Sequence, residues 1–350
     1  MNLIDLRREM DETDRALLAL FARRMALSGA IAQVKQGAHL PILDPRREEE
    51  KLLQAADSVP PELAEYARNK GVGLILWAVM NVLDEQLEKA CRYYAGMGIK
   101  GFKVDFLDRD DQKAVEMVYR IAETTAKYKL FVDFHGMYKP TGINRTFPNA
   151  INFEGVFGME ELKWSNPDMP LYDVTMPFIR MMAGNVDYTQ GAMRNAVKKD
   201  FRDIYSSPMS QGTRCHQLAT YIVFDSPLVM LCDAPTAYRK EPECTRFIAG
   251  LPVVADETRI LQGKMGEYIV TARRVGEDWI VGGLTDWEAR TVDLDLSFLP
   301  EGMFRAEIFC DGINADKKGE DYRHEYRDVK REDRLKMQLA PYRRICTGTH

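Results

Sequence analysis

Carboxylates close several short apolar stretches in the middle of this sequence. Asp105 stands near the end of GIKGFKVDF (98–106), and Lys103, two residues earlier, points to the same side if the stretch is a strand. A charged pair at the end of an apolar strand costs free energy unless it is paired or takes part in chemistry. Asp105 is therefore a candidate catalytic group, and equally a candidate N-cap for a helix that should begin near Asp108.

Two further carboxylates, Glu154 and Glu160, lie beside glycines in EGVFGME (154–160). Glycine permits tight backbone and close approach of a ligand. Two facing carboxylates can hydrolyse a glycosidic bond, because one attacks the anomeric carbon while the other protonates the leaving oxygen. The alternative is that both are solvated surface residues, since most glutamates are exposed.

Histidine and aromatic residues also stand at the ends of apolar stretches. His135 follows one of them and shares a side with Asp133, where an imidazole can bond sugar hydroxyls or can be a core residue with its own partner. Trp77, Tyr138 and Trp164 lie in or just after such ends. Aromatic rings there often stack on sugars, although most aromatic residues belong to the core.

The elements that position these residues follow from the apolar pattern between residues 57 and 250. Short apolar runs alternate with amphipathic segments, which favours parallel strands joined by right-handed crossover helices. An open doubly wound sheet fits this pattern. We favour part of a (β/α)8 barrel, because acidic residues stand at several strand ends, where barrel enzymes place their chemistry. The pattern predicts strands over 71–77, 98–106 and 129–135, and helices over 84–95 and 110–127.

The flanking regions differ in character. Residues 1–56 carry apolar residues at helical spacing, with a second helix expected from Asp44 onward. Residues 251–350 predict an antiparallel β-sandwich. The expected fold class is therefore α/β, with domains over 1–56, 57–250 and 251–350. The predicted sandwich strands cover 266–273, 278–285, 291–296 and 304–309.

The composition limits the classes of partner. The chain has 350 residues, 45% of them hydrophobic, and a net charge of -5, which argues against a nucleic acid or an anionic membrane held by bulk charge. No apolar run approaches the roughly 20 residues that span a bilayer, and the charged start lacks the apolar region of a signal peptide. We therefore expect a cytoplasmic protein. The cysteines form no C-x-x-C pair and are expected to be small buried residues.

A series of ordered segments from about residue 60 to the end strongly resembles glycoside hydrolase family 97. That family has a β-sandwich, a (β/α)8 catalytic barrel and a C-terminal β-domain, with a calcium ion in its active site. The resemblance implies an enzyme that cleaves α-glycosidic bonds of an oligosaccharide or α-glycoside. The stretch 71–77 matches the family's third barrel strand, so a partial barrel is expected. The segments are KGVGLILW (70–77), GIKGFKVDF (98–106), HGMYKPTG (135–142), RTFPN (145–149), EGVFGME (154–160), MAGNVDYT (182–189) and GTRCHQLA (212–219).

The resemblance also implies roles for individual residues. The retaining branch of the family has an aspartate nucleophile at the end of its fourth barrel strand, the position of Asp105. The inverting branch has a glutamate directly after the histidine of the fifth strand, where this chain has Gly136, so a retaining enzyme acting on α-galactosides is implied. Glu160 would be the general acid/base, about 5 to 5.5 Å from Asp105 between carboxyl groups, and Glu154 a calcium ligand. The candidate substrate-binding residues are Lys103, His135 and Trp77.

Residues 1–55 resemble a truncated all-helical chorismate mutase. Cationic side chains at the matching positions would bind the dicarboxylate and ether oxygen of chorismate, which suits charge stabilisation of a rearranging dianion. A solvated amphipathic helix, or a homodimer formed through this helix, fits the same charges. The matching positions are Arg7, Arg24, Lys35, Arg47 and Glu48, with Asp44 as a further pocket position.

Overall fold

The computed structural model describes residues 61–339 continuously, together with scattered positions between 5 and 38. The chain divides into two compact units, residues 1–70 and 71–350. In the first unit, the described positions from Asp5 to Gly37 are helical, as the apolar spacing predicts, and helix α1 spans Pro61–Asn69. Early positions described are 5, 8, 12, 15, 19, 23, 26, 27, 29–31 and 33–38.

A four-stranded parallel sheet opens the second unit, with strands in chain order and helices between them. Its strands and connecting helices are β1 (Ile75–Val79), α2 (Met80–Glu85), α3 (Leu87–Gly96), β2 (Gly101–Asp105), α4 (Gln112–Lys127), β3 (Phe131–Phe134), α5 (Ile143–Thr146) and β4 (Ala150–Phe153). The parallel α/β prediction is thus confirmed. The sheet sits over a core of apolar side chains from both strands and helices, which includes Phe102, Ile121 and Phe153.

The predicted boundaries need several corrections. The first strand begins at Ile75 rather than residue 71. Gly71 has a positive φ of 70° and belongs to the turn that precedes the strand. The helix predicted over 84–95 is two helices, with a break at Gln86. Asp111, rather than Asp105, caps α4, because its Oδ1 accepts a hydrogen bond from Ala114 N at 3.2 Å.

Short elements link this sheet to the C-terminal part. Met159 and Leu162 are buried and anchor the first of these elements, a 3₁₀ helix. A second apolar core gathers side chains from this region, including Tyr188 and Phe224. The elements are 3₁₀ helix η1 (Met159–Lys163), α6 (Met169–Asp173), α7 (Met176–Ile179), 3₁₀ helix η2 (Arg180–Ala183), β5 (Asn195–Ala196), β6 (Ser210–Gln211), α8 (Arg214–Val223), α9 (Pro235–Lys240) and α10 (Pro242–Gly250).

The C-terminal strands are antiparallel, as predicted, and form one three-stranded and two two-stranded groups: β7–β8–β9, β10–β13 and β11–β12. Apolar residues from all three groups, among them Val270, Leu294 and Val329, share one core. The arrangement of these strands as a two-layer sandwich stays a prediction. The strands are β7 (Glu257–Lys264), β8 (Tyr268–Val275), β9 (Asp278–Thr285), β10 (Arg290–Asp295), β11 (Met303–Asp311), β12 (Tyr322–Lys330) and β13 (Arg334–Leu339).

Two further sequence expectations can be compared with the described residues. Cys91 and Cys244 are buried as expected, but Cys232 is exposed, and Cys215 and Cys310 are only partly buried. None of the described helices is both long enough and apolar enough to cross a bilayer.

Candidate active site

A row of side chains crosses one face of the parallel sheet. Trp77 pairs laterally with Lys103, Lys103 with Asp133, and Asp133 with Asn152. Residues paired in register across parallel strands point to the same face, so one polar row runs from β1 to β4. This row lies one step below the strand ends, where the candidate catalytic residues stand.

The next row of the same face consists of Asp105, His135 and Glu154, each two residues further along its strand. The backbone ladder continues to this level, since His135 N donates to Val104 O at 2.7 Å and Glu154 N donates to Phe134 O at 2.8 Å. These three residues therefore meet at the carboxyl edge of the sheet, where neighbouring parallel strands end.

Asp105 is buried and held by a donor on each oxygen. Trp77 Nε1 donates to Oδ2 at 2.9 Å, and the backbone N of Phe106 donates to Oδ1 at 2.7 Å. Phe106 and Asp108 adopt positive φ values of 63° and 48°, a conformation that costs about 1–2 kcal/mol for residues with a side chain. Such backbone outliers cluster at functional sites. The sequence indicates Trp77 as a ring that could stack on a sugar. In the structure its indole N–H also positions the Asp105 carboxylate.

Lys103, Asp133 and Asp187 form a buried charge cluster beneath the rim. The Lys103 ammonium contacts Asp187 and lies 3.4 Å from Asp133 Oδ2. Burial favours the neutral amine, but the two carboxylates outweigh it and raise the pKa of Lys103. Burial, together with Asp187, raises the pKa of Asp133 to about 8. Although burial opposes it, His135 and Lys103 lower the pKa of Asp187, so Asp187 carries the negative charge of the cluster.

His135 connects this cluster to the two glutamates. Its Nδ1 lies 2.9 Å from Asp187 Oδ2, and its Nε2 lies 3.1 Å from Glu160 Oε1 and 3.2 Å from Glu154 Oε1. Burial disfavours the imidazolium, but the hydrogen bonds with Asp187 and Glu160 raise the pKa of His135 to about 10. The hydrogen bond with His135 in turn lowers the pKa of Glu160, whereas burial raises the pKa of Glu154 to about 7.

Gly136 joins Asp105 to the glutamates. Its backbone N donates to Glu154 Oε2 at 2.6 Å, and its carbonyl accepts from Asp108 N at 2.7 Å. Its φ is +56°, and a Cβ built there would stand 2.9 Å from both Asp105 Oδ1 and Phe106 N. A glycine is required here because the space that a side chain would fill belongs to the Asp105 carboxylate.

Arg180 fixes the segments that carry Glu154 and Asp187. Its buried guanidinium donates to backbone carbonyls of Phe153, Glu154 and Gly155, at the end of β4, and to those of Gly184 and Asn185. The second segment is continuous with Asp187, whose N donates to Phe153 O at 2.8 Å. A planar fork with five N–H groups suits such a set of carbonyls.

The glutamates and His135 also form a potential metal site. One ligand atom from each of His135, Glu154 and Glu160 lies within 4.8 Å of the other two. Calcium prefers oxygen ligands, which the two carboxylates supply and the imidazole does not. The buried Glu154 carboxylate is therefore the group that fits a calcium ion, and a cation there would favour its ionised form.

The structure brings most of the predicted residues together and adds two that the sequence reasoning missed. Asp105, Lys103, Trp77, His135, Glu154 and Glu160 are joined through the contacts above. Asp187 lies in the segment 182–189 that resembles the family, and this resemblance was the signal that could have identified it. No feature of the sequence pointed to Arg180.

The predicted chorismate site lies mostly outside the described residues. Lys35 is the exception; it is helical and partly buried. The other positions, Arg7, Arg24, Asp44, Arg47 and Glu48, fall outside the described part of the chain.

Comparison with known proteins identifies the family. The model "Glycoside hydrolase 97" matches residues 21–156, and "Glycosyl-hydrolase 97 C-terminal, oligomerisation" matches residues 254–343. A "Retaining alpha-galactosidase" of Bacteroides thetaiotaomicron is 56% identical over 80% of this chain and 43% of its own length. A "Probable retaining alpha-galactosidase" of Streptomyces bingchenggensis is 33% identical over 72% of this chain and 38% of its own.

Solved structures agree. A glycoside hydrolase family 97 enzyme from Pseudoalteromonas sp., in complex with panose, has a TM-score of 0.73 at 29% sequence identity. The match covers 80% of this chain and 47% of the chain of that enzyme. A beta-arabinopyranosidase has a TM-score of 0.67 at 25% sequence identity, and the match covers 80% of this chain and 46% of the chain of that enzyme. This chain thus spans less than half the length of the relatives it matches.

A parallel α/β sheet with carboxylates gathered at its strand ends is of the kind that glycoside hydrolases use. The chain belongs to glycoside hydrolase family 97. The match begins at residue 21, inside the segment that resembles chorismate mutase, and that resemblance gains no support from the comparisons.

Proposed function

We propose that this chain carries the active site of a retaining α-galactosidase. The observation that carries the proposal is the carboxyl edge of the sheet, where Asp105 lies beside Gly136, and Gly136 in turn holds Glu154 next to His135 and Glu160. The names of the two curated relatives support α-galactosides as the substrate class.

In the first step, Asp105 attacks the anomeric carbon and forms a glycosyl ester, while the glycosidic C–O bond breaks and Glu160 gives its proton to the leaving oxygen. In the second step, Glu160 takes a proton from water, and the resulting hydroxide cleaves the ester and frees Asp105. The ion pair between Glu160 and His135 corresponds to the ionised glutamate of the second step.

The other residues bind and orient. Trp77 Nε1 and Phe106 N fix both oxygens of Asp105, so the carboxylate is aimed before substrate arrives. Lys103 and His135 stand on the same face and are proposed to bond sugar hydroxyls. Glu154 would hold a calcium ion, which when bound would supply positive charge within the site.

The sheet is proposed to be part of a (β/α)8 barrel. Beyond β4 the backbone ladder passes to Asp187, through its bond to Phe153 O, and then from Val186 N to Asp225 O at 2.9 Å. Segments that follow one another sideways in this manner are expected in a curving parallel sheet. The C-terminal region, matched by a model described as an oligomerisation region, is proposed to mediate self-association in preference to the N-terminal helix.

The stereochemistry of the first product tests this function. We expect NMR to detect the α-anomer of galactose first when an aryl α-galactoside is hydrolysed in the presence of calcium. Asp105→Ala should lose roughly 1000-fold or more in kcat, and added azide should restore turnover as β-galactosyl azide. Exposed Asp110→Ala serves as the control and should keep full activity. The β-anomer as first product, or full activity of Asp105→Ala, would reject the proposal.

A further inference from the structure

An exposed aromatic pair stands beside the 3₁₀ helix η1. The rings of Trp164 and Tyr205 stack with centroids 6.2 Å apart and planes inclined by 29°. Trp164 is 49% exposed and Tyr205 is 68% exposed, although they come from segments that are distant in the chain. Neither ring belongs to an apolar core, so burial does not explain why they are held together.

The pair is connected to the proposed general acid/base through Lys163. Glu160 and Lys163 are three residues apart in a 3₁₀ helix, so their side chains leave the helix on the same edge. The Lys163 Nζ lies 5.7 Å from the centroid of the Tyr205 ring, within the range of a cation–π contact. Lys163 therefore places the aromatic pair on the side of the helix from which Glu160 acts.

The rim of the pair is polar and ordered. Trp164 Nε1 donates to Glu161 Oε2 at 3.0 Å, and Trp164 N donates to Glu161 O at 3.2 Å, which fixes the indole at the end of the helix. An apolar ring face edged by a carboxylate and an ammonium suits a hexose, which presents C–H groups on one face and hydroxyls around its edge.

We propose that Trp164 and Tyr205 form a platform for the sugar on the leaving-group side of the cleaved bond. This inference rests on the proposed function, because in a retaining glycosidase the leaving group departs from the side of the acid/base, while the nucleophile attacks from the opposite face. The second exposed aromatic pair, Trp77 and Phe106, lies at the other carboxylate, Asp105. The platform thus selects glycosides whose leaving group is itself a sugar.

Two substrates that differ only in the leaving group test the platform. α-Galactosyl fluoride has no leaving-group ring, whereas a disaccharide such as α-galactosyl-(1→6)-glucose has one. For Trp164→Ala and Tyr205→Ala we expect kcat/KM on the disaccharide to fall about 10- to 100-fold, with the fluoride changed less than about twofold. Trp164→Phe should recover most of the loss. Tyr326→Ala, which removes an equally exposed ring from β12, is the control and should affect neither substrate.

The outcomes separate the platform from the proposed function. Equal losses on both substrates would mean that the pair only supports the helix, and unchanged kinetics on the disaccharide would mean that it contacts no sugar; either result overturns the platform. If wild type hydrolyses neither substrate, the proposed function fails instead. The platform is then decided by calorimetric binding of the disaccharide, which Trp164→Ala must weaken if the inference holds.

Discussion

The parallel sheet over residues 75–153 and the antiparallel strands over 257–339 differ in how deeply most of their charged residues are buried, with Arg273 of β8 as a buried exception in the second region. At or near the ends of the parallel strands, Asp105, Asp133 and His135 are all buried. In β10, by contrast, buried Leu294 is followed by exposed Asp295, which pairs across the strands with Arg334. Ion pairs in solvent contribute little, whereas buried charges are costly to leave without partners.

The difference indicates that the parallel sheet carries costly buried charges because its function requires them. The parallel sheet holds a cluster in which His135 and Lys103 must offset several carboxylates, and the loops of this region contain three non-glycine residues at positive φ. Strand β10 of the C-terminal region alternates exposed and buried residues, as an antiparallel strand with one solvated face does. Substitutions in the first region should therefore alter activity more than stability, and substitutions in the second should do the reverse.

After Asp105→Ala, Asp187→Asn should have the largest effect. The asparagine cannot supply the negative charge that holds Lys103 and His135, so the pKa of His135 should fall and its orientation should be lost. We expect kcat/KM on an aryl α-galactoside to fall roughly 100- to 1000-fold. The matched control is Asp293→Asn on β10, an exposed aspartate, which should leave the kinetics unchanged. Equal kinetics for the two variants would remove Asp187 from the site.

Gly136→Ala should have the next largest effect, and Gly276→Ala provides a control at nearly the same backbone conformation. Both glycines adopt positive φ, 56° and 59°, so the backbone conformation alone should cost each variant about 1 kcal/mol of stability. A Cβ at residue 276 meets open space, whereas one at residue 136 would press on Asp105 and Phe106. We expect kcat to fall about 10- to 100-fold for Gly136→Ala alone. If both variants kept full activity, the space beside Asp105 would not matter.

The same contrast explains which features the sequence could predict. The predicted strand over 278–285 matches the observed bounds of β9, which a two-residue turn at Gly276 and Glu277 joins to β8. Asp105 and Glu154 could be placed together, since carboxyl ends of parallel strands share one edge. The apolar pattern could not predict contacts made by segments outside the helices and strands.

Asp187 and Arg180 illustrate that limit. Asp187 lies in a segment outside the helices and strands and enters the site through its backbone bond to Phe153. Arg180 follows a short helix and donates only to backbone carbonyls, which leave no trace in residue types. Local periodicity reports burial and turn chemistry, whereas these two positions are fixed by contacts between distant segments.

Arg180→Lys should have a smaller effect on activity. Lysine has three donors on a flexible stem and cannot reproduce the fork that joins Glu154 to the segment before Asp187. We expect kcat to fall about tenfold and the calcium concentration needed for half-maximal activity to rise by a similar factor. Arg214→Lys is the control, because this buried arginine contacts Asn195 and Glu241 instead. It should lower thermal stability without changing the calcium requirement; a calcium shift in both variants would contradict a specific role for Arg180.

Val270→Ala should affect activity least. Val270 lies in the central strand β8 and is fully buried in the C-terminal core, so removing two methyl groups should lower the free energy of unfolding by roughly 2 kcal/mol. The same substitution at Val254, 67% exposed, should change it by less than about 0.5 kcal/mol. Urea denaturation measures both, and kcat on the aryl α-galactoside should remain at the wild-type value. A loss of kcat in folded Val270→Ala would show that the C-terminal strands take part in shaping the site, and the division between the two regions would have to be abandoned.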